Sequence, residues 1–122
     1  MADKIRQVDP TLPTPFAERV LDLVELIPAG SVLAYGDIAE LLGEGGPRQV
    51  GRVMALWGGA VPWWRVVRAS GHPVAGLEQQ ALRKLRAEST PLVAGGTRVD
   101  MANGRWRQPP ESTLTDPQVG RR

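Results

Sequence analysis

The chain of 122 residues contains no cysteine. That absence excludes disulfides, thiolate metal sites and every thiol nucleophile. Histidine is almost as scarce. His72 is the single one, flanked by Gly71 and Pro73, and it is read as a plain loop residue. With no partner of metal-ligand spacing, no metal site or cofactor is expected. No apolar run approaches the ~20 residues that a membrane span needs. The polar start, Met1-Ala-Asp-Lys-Ile-Arg, is followed by no apolar signal core. A cytoplasmic protein without a membrane partner is therefore expected.

Acidic residues are missing from one window. The net charge is only +2, but no Asp or Glu lies between Glu44 and Glu78. The window holds Arg48, Arg52, Arg65, Arg68 and His72, with three of the four tryptophans: Trp57, Trp63 and Trp64. A basic, acid-free stretch interleaved with aromatics suits a polyanion that carries stackable bases. A solvated basic face over buried tryptophans would give the same composition.

The length allows one domain. Residues 1–13, with Pro10 and Pro13, lack periodicity and are expected to form a flexible arm. Thr14-Pro15 is a helix start, a capping hydroxyl followed by proline at the first helical position. Phe16, Val20, Leu23, Val24 and Ile27 follow at helical spacing, and Pro28-Ala29-Gly30 stops the helix. A second helix is expected from Tyr35 to Gly43. After the turn at Gly45-Gly46, a third opens at Pro47 and runs from Arg48 to about Leu56. Two short helices about a glycine turn make a helix-turn-helix pattern. In the third, Val50, Val53 and Met54 can face inward. Arg48, Gln49 and Arg52 share the other face, and Gly51 and Ala55 leave room for close approach.

Residues 61–67 read as an extended, mostly buried segment, and 68–73 as a loop. A fourth helix is expected from about Leu77 to Glu88, with Leu77, Ala81, Leu82 and Leu85 as its apolar stripe. Residues 91–93 and 98–101 pair in the expected scheme as a small C-terminal β-hairpin through Gly95-Gly96, a wing beside the helix-turn-helix. Trp106 is expected to pack on the body. Residues 107–122 are expected to be a flexible tail. The reading is a mainly α (α+β) single domain over 14–106, a winged helix-turn-helix, expected to be monomeric.

Three segments carry a resemblance: Ile-Pro-Ala-Gly-Ser-Val-Leu-Ala-Tyr-Gly-Asp-Ile-Ala (27–39), Pro-Arg-Gln-Val-Gly-Arg-Val-Met (47–54) and Val-Pro-Trp-Trp-Arg-Val-Val (61–67). In that order and spacing, the stretch 16–88 resembles the DNA-binding domain of the O6-alkylguanine-DNA alkyltransferases. It is still more similar to the alkyltransferase-like proteins, their non-enzymatic relatives. In the enzymes the third segment reads Pro-Cys-His-Arg, where the cysteine accepts the alkyl group. Here it reads Pro62-Trp63-Trp64-Arg65. An indole is no nucleophile and its N–H only donates a hydrogen bond; covalent acceptance needs an activated thiolate or its equivalent.

The resemblance implies a protein that binds duplex DNA, flips O6-alkylguanine out of the stack and flags it for nucleotide excision repair, whose proteins would be its partners. It implies that Arg48 enters the stack and that Tyr35 meets the phosphate beside the flipped nucleotide. Gln49 and Arg52 would line the DNA-facing side of the recognition helix. It implies an alkylguanine pocket made by Tyr35, Met54, Trp63, Trp64, the Val66 backbone and the loop after Ser70. It matches Glu88 to a glutamate that steadies the histidine in the enzymes. Read without the resemblance, Arg48 is equally a phosphate-binding arginine at a helix N-terminus, and the whole chain could be a winged helix-turn-helix regulator with no base pocket. A tryptophan-rich protein-binding surface is a third reading.

Overall fold

A computed structural model describes residues 12–107. The expected arm and tail fall almost wholly outside the described residues. Helix α1 spans Pro15–Leu26. Thr14 caps it, its hydroxyl accepting from the Ala17 N–H at 3.1 Å. Strand β1 (Leu33–Ala34) runs directly into helix α2 (Tyr35–Leu42). The Asp37 carboxylate fixes that junction by accepting the Ala34 N–H at 2.8 Å and the Arg105 Nε at 3.0 Å. Gly43 ends α2 with φ 69°, a left-handed cap that suits glycine. Helix α3 (Pro47–Trp57) begins with proline at its first position. The Gln49 Oε1 accepts from the Gly46 N–H at 3.0 Å, so part of this predicted DNA-facing side chain is spent on the helix cap.

Residues 61–67 do not form one extended segment. Pro62 starts a tight 3₁₀ turn, Trp63–Arg65, and only Val66–Val67 (β2) are extended. The turn closes because the Trp63 N–H reaches the Val61 carbonyl and the Arg65 N–H reaches that of Pro62, at 2.6 and 3.0 Å. Strand β2 pairs in parallel with β1, Leu33 opposite Val66 and Ala34 opposite Val67. Helix α4 spans Glu78–Ala87 and a short helix α5 spans Met101–Gly104.

The expected C-terminal hairpin shrinks to one antiparallel bridge, Leu92 with Val99. It stops there because Asp100 begins α5, accepting the Ala102 N–H at 3.1 Å. Beyond α5, Arg105 bridges Val32 in parallel. No described helix is long and apolar enough to cross a membrane.

Two apolar clusters hold the fold. The larger joins α1, α2 and α3 through residues such as Val20, Val24, Ile38 and Val50, all fully buried, with Trp106 packed against it. The smaller gathers Val32, Val67, Leu82, Leu85 and Val99, with Trp64 on its flank. Leu77, expected in the buried stripe of the fourth helix, instead precedes α4 and is 40% exposed.

Candidate nucleic-acid interface

Helix α3 carries the site because its sequence gives it two sides. Val50 and Val53 are buried against α1 and α2. The other side stays in solvent, with Arg48, Gln49 and Arg52 exposed. Among the described residues, neither Arg48 nor Arg52 has an ion-pair or hydrogen-bond partner. Both guanidiniums are therefore available to an anion or a planar base.

A cavity of about 360 Å³ opens beside this helix, within the size range of small-ligand sites. From α3 it takes Gly51, Met54 and Ala55. Gly51 is not required by backbone conformation; a Cβ there would meet nothing within 4 Å, so its absence simply leaves space. Gly58 and Gly59 form the floor, and Tyr35 enters from the start of α2. Trp63 is the largest wall. It is half-buried and belongs to neither apolar cluster. The outer wall is Val74, Leu77 and Gln80, leading into α4. Arg48 is not among the residues that line this cavity; on α3 it precedes the lining residues Gly51 and Ala55 by three and seven positions, on the same strip of the helix. A smaller groove of about 220 Å³ is lined by Arg48 itself, with Gln49, Arg52 and Leu56.

Of the six residues expected around a pocket, Tyr35, Met54 and Trp63 line this cavity, and Trp64, Val66 and Ser70 do not. Val66 is buried in β2, 1% exposed. Trp64 turns to the second cluster. The Ser70 hydroxyl is exposed and lies 2.7 Å from His72 Nδ1. Val74 comes from the loop after Ser70 that was expected to contribute, whereas Leu77 and Gln80 were missed as lining residues. Leu77, expected in the buried stripe of the fourth helix, caps that helix and faces the cavity instead.

Electrostatics differ across the site. Burial pushes the Tyr35 phenol above its ordinary value, and the nearby positive charge of Arg68 offsets part of that shift. The phenol thus keeps its proton at neutral pH and can donate a hydrogen bond. Arg65 does not face outward with the other arginines. Its Nε and Nη2 donate to the two Glu88 carboxylate oxygens at 3.0 and 2.6 Å, and its Nη1 donates to the Ile27 carbonyl at 2.7 Å. Glu88 also accepts the Trp64 indole N–H at 3.0 Å. Burial alone would raise the Glu88 carboxyl, but the hydrogen bonds from Arg65 and Trp64 hold it below its usual range. Arg68 donates to the Pro73 carbonyl, closing the loop that follows β2.

Fold and site together define a helix-turn-helix domain whose recognition helix presents free arginines beside an apolar cavity. Residues 15–90 match the family described as 6-O-methylguanine DNA methyltransferase, DNA binding domain. The chain is 36% identical over 95 residues to the DNA base-flipping protein of Escherichia coli K12, covering 75% of this chain and 74% of that one. Among solved structures it is similar to S. pombe Atl1 in complex with damaged DNA containing O6-carboxymethylguanine, with a TM-score of 0.66 and 27% identity over 79% of this chain and 99% of that one. A variant of M. tuberculosis O6-methylguanine methyltransferase is also similar, with a TM-score of 0.55 and 30% identity over 69% of this chain and 55% of that one. The chain belongs to this family of methyltransferase DNA-binding domains, and within it to the alkyltransferase-like proteins.

Proposed function

We propose that this protein binds duplex DNA, rotates a guanine alkylated at O6 into the cavity walled by Trp63, and holds it without accepting the alkyl group. The observation that carries this reading is the place of Trp63: half-buried, outside both apolar clusters, on the wall of a cavity that α3 also lines. A Trp63 sealed inside the core would have left no room for a base.

The chemistry of the residues fits each step. Rotating a base out of the stack costs a few kcal/mol. Arg48, exposed on α3 three residues before the cavity-lining Gly51, can fill the vacated place with a flat, cationic group. Tyr35, protonated, can donate to the adjacent phosphate. Met54 and Trp63 offer polarizable and aromatic surface to the flipped base and its alkyl group. Transfer of that group would need a thiolate or comparable nucleophile, and the chain has no cysteine. The names of the relatives, a DNA base-flipping protein and Atl1 with a damaged duplex, support the same reading. Handing the marked lesion to nucleotide excision repair proteins belongs to the proposal through family resemblance.

Tryptophan fluorescence titrations with an O6-methylguanine duplex and its unmodified twin, at several salt concentrations, test this. The lesion duplex should bind more tightly at every salt concentration. Equal affinities would favour a winged regulator without a base pocket. After incubation with alkylated DNA, the mass of the protein should be unchanged; a gain of one alkyl group would overturn the chemistry.

A further inference from the structure

The cavity wall has a support that the base-binding reading does not itself require. Trp63 and Trp64 are adjacent in sequence and leave the 3₁₀ turn in different directions. Their rings meet edge to face, with centroids 5.7 Å apart and planes at 87°, the geometry favoured by aromatic quadrupoles. Trp63 has no cluster of its own to fix it. Trp64 is held on several sides. Its N–H donates to Glu88, its ring packs on the second cluster, and Lys84 Nζ lies 4.7 Å from its centroid. Glu88 is in turn held by two hydrogen bonds from Arg65, which is anchored to the Ile27 carbonyl. A continuous series of contacts therefore runs from the end of α1, through Arg65, Glu88 and Trp64, to the Trp63 ring. It ends at the cavity, and Trp64 is the one member that touches both the anchor and the wall.

We infer that Trp64 is a positioning residue for lesion recognition, fixing the Trp63 indole as the cavity wall through its hydrogen bond to Glu88. The inference rests on the base-binding reading above. It also gives the indole at this position a use that a mere space-filler would not have. Its N–H donates to Glu88 beside the two hydrogen bonds from Arg65, and its six-membered ring adds an edge that a smaller ring would lack. A wall that can swing costs rotamer entropy each time a base must seat against it. A wall already in place does not.

The test compares Trp64→Phe and Trp64→His with the unaltered chain, using lesion and unmodified duplexes. Phenylalanine keeps a ring but cannot donate to Glu88; histidine can donate but is too short for the edge contact. Each should lower affinity for the O6-methylguanine duplex by about three- to tenfold, the range supported by one lost hydrogen bond in the first variant and one lost edge-to-face contact in the second. Affinity for the unmodified duplex, and its salt slope, should not move, because those depend on Arg48 and Arg52. In a Trp63→Ala background, Trp64→Phe should add nothing, since its effect passes through the missing ring. Full lesion preference in Trp64→His would overturn the inference, as would equal losses on both duplexes or additive effects in the double variant. Should the unaltered chain show no lesion preference, the base-binding reading fails and takes this inference with it. A preference that survives both Trp64 variants sinks the inference alone.

Discussion

The two sides of the Trp63–Arg65 turn are built on opposite principles. Toward α3 the polar groups are left open: Arg48 and Arg52 have no partner among the described residues, and small residues keep the cavity clear. Toward α4 they are closed: one glutamate accepts from both an arginine and an indole, and the arginine's remaining reach goes to a carbonyl. Two residue types, arginine and tryptophan, occur on both sides and do different work. Free guanidiniums cost the fold little because water solvates them, and they remain available to phosphate or base. Paired ones cannot be spared, because removing one partner leaves a charge uncompensated in a place water reaches poorly.

The sharpest way to break this contrast is Arg65→Ala. It strands the Glu88 carboxylate and the Ile27 carbonyl together, and should lower unfolding stability by about 3 kcal/mol in denaturant titrations. The same pair predicts an acid limb. The folded-state value of Glu88 is depressed. Its stabilisation is therefore fully present above the unfolded carboxylate range and is lost as pH falls through the folded value. Glu88→Gln should flatten the decline in stability on the acid side, and an unchanged acid limb would remove Glu88 from that role.

Two glycines sharpen the comparison at a smaller scale. Gly71 is buried with φ 94°, and a Cβ there would lie 2.3 Å from the Val99 carbonyl oxygen. Gly71→Ala should cost about 2 kcal/mol, from left-handed strain plus displacement of Val99. Gly51 sits in mid-helix over open space. Gly51→Ala should raise stability by about 0.5–1 kcal/mol, while a larger side chain there should weaken lesion binding by filling the cavity. Loss of stability in Gly51→Ala would show that the space beside α3 is not free.

The smallest effect on stability is expected at Arg48. Arg48→Ala should leave unfolding within about 0.5 kcal/mol and act on binding. If Arg48 enters the stack, lesion preference falls. If it only contacts phosphate, affinity for both duplexes falls alike and the log–log salt slope shrinks by about 0.9.

Much of the fold was legible before any coordinates. Thr14-Pro15, Gly43 and Pro47 mark helix ends by local backbone chemistry, and the apolar spacing of α1 and α3 is their burial. The two misread parts have different causes. Residues 61–67 looked extended because they are apolar, yet local hydrogen bonds at Trp63 and Arg65 close a turn there, and Arg65 then reaches Glu88, 23 residues away. The hairpin looked plausible from Gly95-Gly96, but Asp100 ends the ladder by starting α5.

By itself the sequence determined that no thiol chemistry is possible and that two helices about a glycine turn present arginines on one face. It also set the family motif that places tryptophans at 63 and 64. Those follow from residue identity and near-neighbour spacing, which a chain carries with it before folding. Only the tertiary structure decided which tryptophan walls the cavity, which arginine is neutralised, and that Leu77 and Gln80 join the cavity lining. Each of these depends on groups brought together across many residues. Burial and charge pairing act on distance in space, which the order of residues does not specify.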